Sequence, residues 1–182
     1  THQDVPIVSF TGGSETGKHI SKVTAPYFKK LSLELGGKNP NIIFDDCDFD
    51  KAVSTASRAA FTNQGQICLC GSRVFVQNKI YEKFKSALVD KAKKLIVGDP
   101  KNSNSHLGAV VSEEHMNKIL LKINEAKKLG GILLCGGERL ILEGELKNGY
   151  YIQPTVFENL AYDCSINNEE IFGPVVTLIP FE

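Results

Sequence analysis

Apolar and polar positions change period several times along the chain, and the changes predict an ordered series of elements. Val5-Pro6-Ile7-Val8-Ser9-Phe10 is a β-rich run that feeds Thr11-Gly12-Gly13-Ser14-Glu15-Thr16-Gly17, which reads as a strand-to-helix turn. Residues 14–29 follow as a partial helix interrupted near Pro26, and Leu31 to Leu35 alternates as a strand that stops at Gly36-Gly37. Asn41 to Phe44 suits a buried strand, and Asp46-Cys47-Asp48-Phe49-Asp50 leads into a helix through about residue 61, its carboxylates at the positive end. Arg73 to Gln77 reads as a strand. Residues 79–95 carry Ile80, Phe84, Leu88, Ala92 and Leu95 on one helical stripe. Ser112 is placed to cap a further helix with Met116, Ile119, Leu120 and Ile123 on its apolar face, closed by Gly130-Gly131. Ile132 to Cys135 is a short strand, 136–149 a Gly-rich surface loop, and Tyr151 to Phe157 and Val175 to Phe181 two further strands. Strands alternating with helices predict an α/β fold with parallel pairing. No internal repeat is present.

Composition narrows the function classes. The 182 residues carry 21 Lys+Arg and 21 Asp+Glu, so the formal charge is zero and no basic stripe invites nucleic acid. Apolar residues make up 42% of the chain, enough for a core, yet no apolar run is long enough to cross a bilayer. Residues 1–10 lack the basic-then-apolar layout of a secretory signal. The five cysteines, Cys47, Cys68, Cys70, Cys135 and Cys164, are odd in number and contain no Cys-x-x-Cys pair. That pattern suits free thiols in a reducing compartment rather than disulfides, and it excludes the usual zinc spacing.

Candidate chemistry centres on Cys68, in Asn63-Gln64-Gly65-Gln66-Ile67-Cys68-Leu69-Cys70-Gly71-Ser72-Arg73. A structural cysteine hides in an apolar run, whereas a nucleophilic one needs a partly exposed turn. A cysteine passing through a thiohemiacetal and a thioester also needs a base to activate water. Glu34, beside Gly36-Gly37, is a carboxylate that can reach into a site, although by itself it better suits a surface glutamate at a strand end. Glu170 and Phe172 stand in Glu169-Glu170-Ile171-Phe172-Gly173-Pro174.

Rival motifs fail on particular residues. Gly12-x4-Gly17-Lys18 mimics a P-loop, but His19 occupies the position that needs Ser or Thr for magnesium. Asp46-x-Asp48-x-Asp50 opens like a calcium loop but has Lys51 and Ser57 where Gly and Glu are required, which leaves helix capping. Cys70-Gly71-Ser72 begins a papain-type signature that Arg73-Val74 breaks. No metal site is expected.

Taken together, Phe10-Thr11-Gly12 to Gly17, Leu33-Glu34-Leu35-Gly36-Gly37-Lys38-Asn39-Pro40, Asn63 through Cys68 to Arg73, and Glu169 to Pro174 resemble the aldehyde dehydrogenase superfamily over essentially the whole chain. The Ile67-Cys68-Leu69-Cys70 text is most like its 2-aminomuconic semialdehyde dehydrogenase branch. The resemblance implies an aldehyde dehydrogenase-like α/β fold. Residues 1–36 would be the end of a Rossmann-type cofactor domain, and 37–182 most of an α/β catalytic domain. It implies oxidation of a small-molecule aldehyde to a carboxylic acid, with Cys68 as nucleophile and Glu34 as general base. NAD is the implied cofactor, with NADP left open. Gly12, Gly13 and Gly17 would lie along it, and Glu170 and Phe172 would hold its nicotinamide-ribose half.

Two departures qualify this. Gly13-Ser14 replaces the family's Ser-Thr, so any contact at Gly13 would be through the backbone. The family's oxyanion asparagine has no counterpart here, and neither Asn39 nor Asn63 matches it. A partial chain of a homo-oligomeric enzyme is therefore expected, cytoplasmic with a mitochondrial place left open, inactive as an isolated piece, and with no nucleic-acid or membrane partner. A non-catalytic fragment and, more distantly, a nucleotide-phosphate-binding module stay open as alternatives.

Overall fold

The structure is a computed structural model and describes residues 2–182. It divides into two compact units, the first ending at Gly37 and the second spanning Lys38–Glu182. No helix among the described residues is long and apolar enough to cross a membrane.

The first unit is a β-α-β element. Strand β1 (Ile7–Gly12) leads into helix α1 (Ser14–Thr24), which a 3₁₀ turn containing Pro26 ends. Strand β2 (Lys30–Leu35) then returns parallel to β1. Register sets Thr11 opposite Glu34 and Gly12 opposite Leu35. The helix packs closely through Gly17, where a Cβ would come 2.7 Å from Leu35 Cδ2.

The second unit is built on a five-stranded sheet. It contains β3 (Pro40–Ile43), α2 (Phe49–Phe61), β4 (Arg73–Gln77), α3 (Tyr81–Lys93), α4 (Glu113–Lys128) and β5 (Ile132–Cys135). Then come β6 (Arg139–Leu140), β7 (Tyr151–Ile152), β8 (Thr155–Glu158), α5 (Ser165–Asn168) and β9 (Val175–Phe181). The sheet order is β3-β4-β9-β8-β5. The first four strands run parallel and β5 runs antiparallel at the edge. Two helix starts follow the capping chemistry: at α2 Asp48 accepts from the backbone N–H of Lys51, and at α4 Ser112 accepts from that of His115.

Side chains alternate across the sheet and feed two cores. Val74, Val76, Val156, Val176 and Leu178 meet α2 and α3 through Val53, Ala56, Phe61, Phe84 and Leu88. Phe157 and Val175 meet α4 through Met116, Ile119 and Ile123. The short α5 joins the second core through Ile166. Its buried Asn167 accepts from the Thr177 hydroxyl at 2.8 Å, which ties it to β9.

Three details depart from the sequence reading. The expected strand over 151–157 is two strands broken at Gln153-Pro154, because Pro154 cannot donate to a ladder and the chain changes partner there, β7 pairing with β6 and β8 with β9. The expected loop 136–149 contains β6. Pairing is not wholly parallel, since strand direction is invisible in a four-residue apolar run.

Candidate active site

Helix α2 ends at Phe61, and the next residues turn sharply. Asn63, Gln64 and Gly65 all lie in the left-handed region, at φ 50°, 57° and 71°. Two consecutive non-glycine residues there carry a conformational cost of roughly 1–2 kcal/mol each. Side-chain hydrogen bonds hold them. Asn63 Nδ2 donates to Gln66 O at 3.1 Å, and Gln64 Nε2 donates to Ala109 O at 3.0 Å. Gln66 Oε1 accepts from the Val111 N–H at 3.0 Å. Gly65 is obligatory for a second reason: a Cβ would sit 2.1 Å from the carbonyl oxygen of Gly173. The turn is thus pressed against the Gly173-Pro174 backbone.

Cys68 follows this turn and is exposed. Its carbonyl oxygen accepts from Asn39 Nδ2 at 2.6 Å, and the same amide reaches Cys70 O at 3.2 Å. Cys70, two residues on, is buried, and burial pushes its thiol pKa up. A hydrogen bond with the Ile67 backbone opposes that rise, and the charges of Glu170 and Cys68 add to it. The loop therefore presents one thiol and conceals the other. Arg73 closes it, donating from Nη2 to Lys38 O.

The segment Glu169–Pro174 approaches from the other side. Lys122 of α4 bonds Glu169 at 2.7 Å and Glu125 at 2.9 Å. Phe172 has a left-handed φ of 56°, and its carbonyl oxygen accepts from His115 Nε2 at 2.7 Å. The Phe172 ring lies edge-on to the His115 ring, with centroids 6.1 Å apart. Gly173 packs on Ile119, and Pro174 O accepts from the Thr155 N–H at 2.8 Å. Cys68, Glu170 and Phe172 are thus carried on two segments that share a backbone contact at Gly65.

In the first unit, Glu34 is exposed on β2, across the ladder from Thr11 and next to the Gly12-Gly13 turn. Gly13 is the N-cap of α1; no side chain caps it, and a Cβ there would meet nothing within 4 Å. Gly12 abuts the Phe10 ring, and Gly17 is buried under Leu35. The open Gly13 backbone at a helix N-terminus suits the approach of a phosphate, and Gly17 provides close helix–strand packing, as the glycines of dinucleotide-binding turns do.

Sequence reasoning passed over Lys38, Asn39, Gln64, Gln66 and His115 as site-forming residues. Only the Gln-Gly-Gln text hinted at the glutamines, and the partners of the others lie dozens of residues away. Cavities of about 520 and 530 Å³ in the second unit include neither Cys68 nor Glu170. No cluster of three metal-ligating side chains occurs among the described residues.

A sequence profile of the aldehyde dehydrogenase family matches residues 1–182. The chain is 44% identical over 182 residues to 4-trimethylaminobutyraldehyde dehydrogenase A of Danio rerio, covering all of this chain and 36% of that protein. It is 41% identical over 184 residues to 2-aminomuconic semialdehyde dehydrogenase of Homo sapiens, covering 100% and 38% respectively. A crystal structure of betaine aldehyde dehydrogenase from Staphylococcus aureus in complex with NAD+ superposes with a TM-score of 0.96 at 47% identity, covering 100% of this chain and 36% of that one. The chain therefore spans a little over a third of the length of the relatives it matches.

Proposed function

This chain belongs to the aldehyde dehydrogenase family, and from that premise we propose that it carries the nucleophile and part of the cofactor site of an NAD(P)+-dependent oxidation of an aldehyde to a carboxylic acid. The observation that carries the reading is the exposed Cys68 on a turn pressed against the segment bearing Glu170 and Phe172. Cys68 is the nucleophile and Glu34 the general base. Residues 1–36 belong to the cofactor domain and 37–182 to the catalytic domain. Gly12 and Gly13 line the cofactor through backbone, Gly17 seats the helix behind them, and Glu170 and Phe172 hold the nicotinamide-ribose half. The open, uncapped turn at Gly13 and the clamped Glu169–Pro174 segment fit such a group.

The Cys68 thiolate bonds the carbonyl carbon and forms a thiohemiacetal. The backbone N–H of Cys68 donates to the developing oxyanion, a contact type worth roughly 3–4 kcal/mol. NAD(P)+, held along the Gly12-Gly13 turn and by Glu170 and Phe172, would supply the hydride acceptor for oxidation of this adduct. Glu34 then removes a proton from water, the hydroxide adds to the thioester, and Cys68 leaves as thiolate with release of the acid. The substrate class is an aldehyde bearing nitrogen, the feature shared by the names of the relatives: trimethylaminobutyraldehyde, betaine aldehyde and 2-aminomuconic semialdehyde.

Limited alkylation with iodoacetamide and peptide mapping tests the nucleophile. Cys68 is expected to be labelled well ahead of Cys47, Cys135 and Cys164, and to be protected by a nitrogen-bearing aldehyde substrate. Equal labelling of all four would favour a non-catalytic chain.

A further inference from the structure

Phe172 combines two features that need a cause. Its φ is 56°, in the left-handed region, which an aromatic residue adopts only where its surroundings impose it. Its ring is 37% exposed, so burial in a core is not what imposes it. Flanking residues are fastened elsewhere, Glu169 to Lys122 and Gly173 against Ile119 and the Gly65 backbone. At Phe172 itself the fastening comes from His115. Its Nε2 lies 2.7 Å from the Phe172 carbonyl oxygen, and its ring meets the Phe172 ring edge-on. The carbonyl oxygen can only accept, so Nε2 carries the proton and donates. This bond grips the backbone, because the direction of a carbonyl follows the ψ of its own residue, whereas the ring contact acts on the side chain alone.

His115 is itself held. Its backbone N–H donates to the Ser112 hydroxyl at 3.1 Å, in the cap of α4. Just upstream, Gln64 Nε2 donates to Ala109 O, and the Val111 N–H donates to Gln66 Oε1. Residues 109–115 are therefore fastened at one end to the turn that leads to Cys68 and at the other to Phe172. We propose that His115 is a positioning residue: by holding Phe172 in its left-handed conformation, it keeps the aromatic ring set against the nicotinamide-ribose half of the cofactor. The inference rests on the role given to Phe172 above.

The test is NADH affinity, read by fluorescence titration, with KM for NAD+ and kcat measured beside it, for the protein and three variants. His115→Phe keeps a ring and loses the donor. It is expected to bind NADH about five- to tenfold more weakly, with KM for the cofactor raised more than kcat is lowered. His115→Gln has an amide nitrogen that donates from nearly the position of Nε2, and it should bind within about twofold of the unaltered protein. It also guards against a Phe variant that fails to fold. A His115→Phe protein with unaltered affinity would overturn the inference, and so would a His115→Gln protein as weak as His115→Phe. Phe172→Ala separates the two layers. If it leaves NADH binding unchanged, the role of Phe172 fails; if it weakens binding while His115→Phe does not, only the role of His115 fails.

Discussion

The chain has two glycine-bearing turns at candidate functional positions, and they are held in opposite ways. The Gly12-Gly13 turn of the first unit is open: Gly13 has an ordinary extended φ of −67°, no side-chain cap, and empty space where a Cβ would go. The Asn63-Gln64-Gly65 turn of the second unit is over-determined, with three left-handed residues, side-chain bonds to residues 109 and 111, and backbone contact at Gly173. An open turn suits a group that must arrive and leave. A clamped turn suits an atom that must attack from a fixed position, since misplacement of a nucleophile is costly in rate. The two glycines thus serve different physics: access in one case, enforced conformation in the other.

Substitutions can break this contrast. Gly65→Ala combines a left-handed φ with a backbone overlap that no rotamer can relieve, so a loss of about 3–5 kcal/mol is expected in chemical denaturation. Lys38→Met, which removes an ammonium buried with no hydrogen-bond partner among the described residues, should act in the other direction at neutral pH. The folded chain binds this proton more weakly than the unfolded one, near 8 against 10.5. Below pH 8 both states are protonated and the burial penalty is fully present. Between 8 and 10.5 the unfolded state holds the extra proton, so stability rises with pH. Removing the charge should raise stability at pH 7 by about 3 kcal/mol, with the gain fading towards pH 10.5, as melts across that range would reveal. Asn39→Ala removes the donor shared by Cys68 O and Cys70 O, for about 1–2 kcal/mol, and should slow Cys68 alkylation by loosening the loop. The smallest change is expected at the open turn, where Gly13→Ala should alter stability by less than about 0.5 kcal/mol. If Gly13→Ala proved as damaging as Gly65→Ala, the contrast between the turns would be gone.

Much of the fold was legible locally. The helices over 81–93 and 113–128 follow 3.6-residue periodicity, and those over 49–61 and 113–128 begin where Asp48 and Ser112 cap them. Strand Val175–Phe181 was visible as a β-rich run after Gly173-Pro174. What failed was pairing. A strand through Pro154 looked continuous because apolar alternation does not record a change of partner, and α5 is too short to show a period. The candidate site divides likewise. Cys68, Glu34, Glu170 and Phe172 stand out by their motifs, whereas Asn39, Gln64 and His115 act through partners 29, 45 and 57 residues away.

The candidate site motifs and the α/β succession are thus properties of the linear text, since periodicity, caps and turn residues act within a few positions and motif spacing survives without coordinates. The exposure of Cys68 beside a hidden Cys70, the backbone contact that makes Gly65 irreplaceable, and the solitary ammonium of Lys38 belong to the folded chain alone. Desolvation and steric overlap depend on what distant segments are packed around a group, and no local pattern carries that information.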